Sequence, residues 1–271
     1  MSSAVLAQKT DIQAIQRTYR ELRRYALPDD QTSETREIPP RIRLLQTRFK
    51  HQVRDSIAEV LDQDAVSISR PTAEIRTLIR AKFKALGLIT PTKKHLSLFN
   101  FGHVLDLSIW RPPGHRDFLA VGLVIDASWA EDESLYIFQH QPTGWVDVLA
   151  AEVNDYRQAW YAQSSAFNYA ISSPARDGSW FLVTASVNPH WASAWQHLTY
   201  TVLVPGYDAD HPKILVLQRH DIYLENEPYC YIKTTADGFS IWFPVGFSPA
   251  EERYTDECCL RYWQSQLLGA P

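Results

Sequence analysis

Two hydrophobic periods divide the chain. Up to about residue 92 apolar residues recur every three or four positions, and from Leu96 onward they alternate, so amphipathic helices give way to strands. Ile12, Ile15, Tyr19 and Leu22 share one helical face, with Thr10 and Gln13 at capping-box spacing ahead of it. Pro28 and the polar stretch 29–37 end this first helix. After Pro39 and Pro40, Ile42, Leu45, Phe49, Val53, Ile57 and Val60 keep the spacing and predict a long second helix. Arg, Lys, Gln and Asp lie between them, and His51, on the polar side, is expected to face solvent. A third helix starts near residues 69–71, where Pro71 in the first turn does no harm, and carries Ile75, Leu78, Ile79, Phe83 and Leu86 at helical spacing. Gly87 then predicts a left-handed cap.

The alternating part is centred on residues 179–205, where Trp180 to Val187 and Leu198 to Val204 form two period-2 runs joined by the densest aromatic loop of the chain. Asn188-Pro189 breaks the first run. The same plan occurs three times. Unit one has Val104 to Trp110, Phe118 to Val121, Leu135 to Phe138 and Trp145 to Leu149; unit two has Asn168 to Ser172, Phe181 to Val183, Leu198 to Tyr200 and Ile214 to Leu217. Unit three has Tyr229 to Lys233, Phe239 to Trp242 and Cys259 to Trp263, with a longer connection and no clear last strand. Joints fall at Pro112-Pro113-Gly114, Pro142-Thr143-Gly144, Asp177-Gly178, Pro205-Gly206 and Asp237-Gly238. The fold class expected is α+β: N-terminal amphipathic helices, then an antiparallel all-β body of three propeller-blade-like units, with a β-sandwich as the alternative arrangement of the same strands. The expected domains are 1–92, a helical head, and 93–271, an antiparallel β domain.

Charge sharpens this division. Residues 1–95 carry 18 Lys and Arg against 11 Asp and Glu, a net of +7, whereas residues 96–271 carry 9 against 20, a net of −11. All nine Trp lie in the acidic part, so the two parts are expected to be modules of different structure. Basic helices that dock on an acidic body, or that simply have solvated charged faces, account for the split more simply than a nucleic-acid partner does. No apolar run reaches the roughly 18 residues of a membrane-spanning helix. Residues 1–10, MSSAVLAQKT, have no basic n-region and only a four-residue apolar run, so the chain is either cytoplasmic or a leader has been removed from it. Cys230, Cys258 and Cys259 are too few and wrongly spaced for a disulfide framework or a zinc site. Buried free thiols are the reading, with Cys230 able to pair with at most one of the adjacent two.

No chemical signature stands out. The chain lacks H-E-x-x-H, G-x-S-x-G, a P-loop and a dinucleotide-binding glycine pattern. His190, His197, His211 and His220 gather in unit two without metal-ligand spacing, and Ser186 and Ser193 are the Ser residues near them. The acidic clusters Asp126, Glu131, Asp132, Glu133 and Asp208, Asp210 read as solvated turns, since neither has the pattern of a calcium loop. No cofactor, metal or catalytic residue is therefore assigned. The best candidate is a ligand-binding surface of Asn188, His190, Trp191, Trp195 and Gln196, because indoles beside amides stack on sugars or anchor a protein partner. The competing reading folds both indoles inward as a plug for the end of the sheet.

The segments Asp132 to Phe138, Asp177 to Val183 and Asn188 to Gln196, following an amphipathic head, resemble a group of uncharacterised bacterial proteins, many of them secreted in appearance. The specific part is Asp177 to Gln196. The group often carries a cysteine in the Asn-Pro-aromatic loop, where this chain has Trp191 or Ala192. The resemblance implies an extracytoplasmic location and no particular activity. The function expected is a non-catalytic binding or scaffolding protein with an unknown protein or carbohydrate ligand; the alternative is a hydrolase-like enzyme with its site in the β domain.

Overall fold

The structure, a computed structural model, describes residues 12–24, 39–63, 66–89, 101–127, 131–152, 166–188, 195–223, 230–244, 247–248, 253–254 and 257–263. Three helices come first: α1 (Ile12–Arg24), α2 (Pro40–Gln63) and α3 (Thr72–Ala85). Prolines open the last two. The Pro39 carbonyl accepts the N–H groups of Ile42 and Arg43, and that of Pro71 accepts those of Glu74 and Ile75, so orphan first-turn donors are satisfied just ahead of the helix. Gly87 closes α3 at φ 74°, which lets the Leu88 N–H return to the Phe83 carbonyl, and Lys82 and Lys84 complement the dipole there. The expected capping box at Thr10 lies outside the described residues.

Most of the apolar positions pack as the spacing predicts, but Ile12 is exposed and Leu78 half-buried. Ile15, Leu22, Phe49, Val53, Ile57, Ile75, Ile79 and Phe83 are fully buried, α2 lies against both α1 and α3, and the Tyr19 and Phe49 rings stack at 5.8 Å.

The polar side of α2 departs from expectation. Gln46, Lys50 and Arg54, one helical turn apart along a single stripe, are all buried. Lys50 Nζ lies 3.3 Å from Asp132 Oδ2 with both side chains fully enclosed, and Arg54 Nε lies 3.1 Å from Asp147 Oδ2. The Arg54 guanidinium also sits 5.7 Å over the Tyr136 ring. Asp132 therefore belongs to no solvated turn, and His51 is half-buried. The physical reason is that α2 has partners on two sides: helices cover its apolar stripe, and the strands carrying Asp132, Tyr136 and Asp147 cover its polar one. A second anchor lies at its C-terminal end. Asp62 Oδ1 accepts the Trp145 N–H at 2.9 Å, the Trp145 indole N–H donates to the Val66 carbonyl at 2.8 Å, and Gly144 (φ 124°) leaves room that a Cβ would lose, 2.7 Å from Asp62 Oδ1.

The strands form successive antiparallel units. The first sheet runs β1 (Phe101–Trp110), β2 (Phe118–Ala127), β3 (Glu131–Gln141), β4 (Gly144–Glu152), and the second runs β5 (Ala166–Ile171), β6 (Leu182–Asn188), β7 (Trp195–Val204), β8 (Lys213–Tyr223), each in sequence order. The third has order β13-β10-β9, from β9 (Tyr231–Thr234), β10 (Gly238–Pro244) and β13 (Glu257–Trp263). Its longer connection holds the short pair β11 (Phe247–Ser248) and β12 (Arg253–Tyr254). Among the described residues all helices precede residue 92, and no helix is long and apolar enough to cross a membrane.

Two compact units result, and they are drawn along other lines than the change of period near residue 92. One holds the three helices with most of the first sheet; the other holds the second and third sheets with residues 111–118 and the end of β4. In the latter, Phe181, Val183, Ala185, Leu198, Tyr200 and Val202 pack on Cys230, Phe239 and Ile241.

Two measurements check this packing. Phe49→Ala is expected to cost about 3–5 kcal/mol in chemical denaturation, because the enclosed ring leaves a cavity. Lys50→Met alone is expected to cost about 3–5 kcal/mol by stranding Asp132, and Lys50→Met with Asp132→Leu is expected to recover most of that loss. A single variant that is nearly neutral would show that the pair is solvated.

Candidate functional site

The sequence directs attention to the β6–β7 connection, and strand register shows how its ends are held. Asn188, the last residue of β6, pairs with His197 of β7. β7 begins two residues earlier than this pair, with Trp195 opposite Tyr223 and Gln196 opposite Ile222 on β8. Of the five sequence-selected residues, Asn188, Trp195 and Gln196 have these backbone positions at one end of the second sheet. His190 and Trp191 lie outside the described residues, as do the side chains of the other three.

Below that end the β7–β8 ribbon is anchored by aromatic packing. Tyr200 is fully buried and donates its hydroxyl to Gln218 Oε1 at 2.8 Å, with the His220 ring parallel to its own at 5.8 Å. Phe239 approaches both Tyr200 and Phe181 edge-on, at 6.1 and 6.3 Å. Cys230 borders this cluster as a free thiol and accepts from Asn168 Nδ2 at 3.2 Å. Burial pushes the thiol up to about 11, against a smaller opposing pull from Asn168.

A second cluster escaped the sequence reading. His115 is buried against the Phe118 ring (4.4 Å) and the Trp180 edge (6.0 Å), and its Nε2 donates to the Ser172 carbonyl at 2.7 Å. Ser172 Oγ accepts the Phe181 N–H, and Gly114, at φ 82°, leaves room for Pro174. The Pro-Pro-Gly joint and the Asp177-Gly178-Ser179-Trp180 segment therefore meet in one locked corner. Its signal is nonlocal, because 57 residues separate His115 from Ser172.

Elsewhere the side chains form local pairs. Asp208 Oδ1 accepts the His211 N–H and lies 2.8 Å from its Nδ1, Tyr207 stacks on His211 at 4.6 Å, and a Cβ on Gly206 would collide with the His211 carbonyl. On the third sheet Tyr231 and Trp242 stack at 5.7 Å, with Lys233 Nζ about 6 Å from both rings. His211 and His220 are thus engaged apart from one another, and no group of three or more potential metal ligands converges among the described residues.

Comparison with family models gave no match, and comparison with curated proteins gave none either. Among solved structures, the chain is similar to the β-propeller domain of Nup133 from Vanderwaltozyma polyspora, at 13% identity and a TM-score of 0.30. The match covers 65% of this chain and 52% of that one, so the chain spans about half the length of the structure it matches.

The Cys230 thiol supplies a check on the core beside the site. Its folded value lies above the ordinary value of 9.0, so the folded state holds the proton more tightly, and the stability this contributes is full below pH 9 and is lost as pH rises toward 11. Cys230→Ala is expected to flatten the pH dependence of stability in that window. An unchanged slope, with rapid alkylation of the native protein near neutral pH, would show that the thiol is open to solvent.

Proposed function

We propose that the protein is a non-catalytic binding module, and that its recognition surface is the end of the second sheet built from Asn188, His190, Trp191, Trp195 and Gln196. The observation that supports it most directly is the register. A connection containing two indoles, one imidazole and two amides departs from Asn188, which pairs with His197, and returns at Trp195, which pairs with Tyr223 of β8. The β7–β8 ribbon is held from below by Tyr200, His220 and Phe239. Binding loops work when a rigid scaffold meets the ordering cost in advance, and the buried aromatic cluster is such a scaffold. Indoles supply large contact area with few rotors, and amides orient a ligand through paired donors and acceptors. A carbohydrate or a polar protein surface is the ligand class this combination suits.

Glycan arrays and pull-downs with the whole chain test the reading. Trp191→Ala and Trp195→Ala are expected to abolish capture while the thermal midpoint stays nearly unchanged. If Trp195→Ala instead lowers stability by the roughly 3–5 kcal/mol of a core aromatic, and capture persists in the folded variant, the connection is a structural plug.

A further inference from the structure

The outward sides of α1 and α2 carry arginine with little carboxylate to meet it. On α1, Arg17, Arg20, Arg23 and Arg24 are exposed, and Glu21 is the single acidic residue of the helix. Arg17, Arg20 and Arg24 recur at helical spacing on the side away from the buried Ile15, Tyr19 and Leu22. On α2, Arg41, Leu44 and Arg48 form an exposed stripe, and the helix has no acidic residue before Asp55. Glu21, which stands between Arg17 and Arg24 on α1, lies 3.8 Å from Arg41 and so joins the two stripes into one surface. The Arg41 side chain is 81% exposed even with that contact. Arg17, Arg20, Arg24, Arg41 and Arg48 thus share a surface with one carboxylate, a net of +4. Among the described residues no other carboxylate pairs with any of the five.

We propose that this face binds the anionic headgroups of a phospholipid surface, with Leu44 entering the boundary below them. Positive charge left without counter-charge repels itself, and a dense array of anions relieves that repulsion. Guanidinium groups suit phosphate, because they meet its oxygens in pairs and give up their own hydration readily. Those interactions would serve any polyphosphate, and the neutral side chain within the stripe decides between them. Leu44 is one turn from both Arg41 and Arg48 and is 69% exposed. Against a nucleic-acid backbone a leucine meets charged oxygens and gains nothing. At a lipid surface it reaches the edge of the acyl chains and adds apolar burial to the attraction of the arginines. Tyr19 and Phe49, the Tyr and Phe residues of these two helices, are buried, so the face offers neither ring for a base to stack on. The apolar stripes buried beneath already hold both helices in place, and binding needs no folding step.

The inference uses the helices alone and stands apart from the proposed recognition end of the second sheet. Co-sedimentation of the whole chain with vesicles tests it, using phosphatidylcholine and phosphatidylglycerol in equal parts, with pure phosphatidylcholine vesicles and a DNA duplex for comparison. The chain is expected to bind the anionic vesicles, to leave the neutral ones free, and to dissociate as salt screens the headgroups. Arg17→Gln with Arg24→Gln is expected to weaken vesicle binding roughly 25-fold, at about fivefold for each arginine. Glutamine matches arginine in helix propensity, so the variant keeps its helices, which circular dichroism checks. Leu44→Ser leaves the charge intact and is expected to weaken vesicle binding about tenfold. A chain that ignores anionic vesicles overturns the proposal, as does vesicle binding that the folded arginine variant leaves unmoved. Tighter binding to the duplex than to the vesicles, with Leu44→Ser without effect on either, assigns the face to nucleic acid and overturns it too. Trp195→Ala is expected to lose ligand capture and keep vesicle binding, which separates failure of this inference from failure of the recognition reading.

Discussion

A lysine ammonium enclosed with an aspartate carboxylate is the interaction on which the first compact unit depends. Removing either charge from water costs several kcal/mol, and that cost is offset only while Lys50 and Asp132 stay within contact and their neighbours remain in place. The pair therefore tolerates little slippage of α2 along β3. Arg54 with Asp147, and Asp62 with the Trp145 N–H, repeat the demand further along the helix. Apolar packing alone would hold α2 to its neighbours without specifying its position so narrowly, since hydrophobic attraction has no direction. The polar stripe supplies direction, and it makes the helices and the first sheet one unit.

The second unit is ordered by different means. Its core is aromatic, with Tyr200 buried yet satisfied through Gln218, and with Phe239 edge-on to two rings. Edge-on and parallel ring contacts restrict orientation as well as distance. Because β7 carries Tyr200, and begins at Trp195, rigidity in this core reaches the start of the proposed binding connection through one continuous strand. The locked corner around His115 and Ser172 steadies the beginning of β6 in the same way. One strand pair thus joins a fixed core at one end to a loop rich in indole and amide groups at the other.

The periods of the chain were enough for much of this. Helical spacing located α1, α2 and α3 and their buried faces, because a stripe of apolar residues can be satisfied in few other ways. Alternation located the strands from Phe101 to Trp263, and Gly and Pro marked joints whose backbone angles, at Gly87, Gly114, Gly144 and Gly178, are positive. The succession of Phe118 to Val121 and Leu135 to Phe138, repeated by Phe181 to Val183 and Leu198 to Tyr200, disclosed the recurring unit, since a meander repeats its strands and turns. Trp195 read as part of the loop before a strand resuming at Leu198, and only its pairing with Tyr223 places it in β7.

Other features depend on contacts between residues remote in sequence, and no local pattern contains them. Lys50 and Asp132 are both charged positions of the kind that usually face water, and only the second partner lying over α2 turns them inward. Asp62 meets Trp145, and His115 meets Ser172, across dozens of residues. The bulge at Leu215 is also a tertiary decision, because it exists only as a mismatch between β8 and β7. Sequence by itself determined which residues would form helices, strands and turns, since those choices follow from the spacing of apolar side chains and the freedom of each backbone. The tertiary structure decided which polar groups are buried and which elements share a compact unit, because each of these depends on what lies opposite in space.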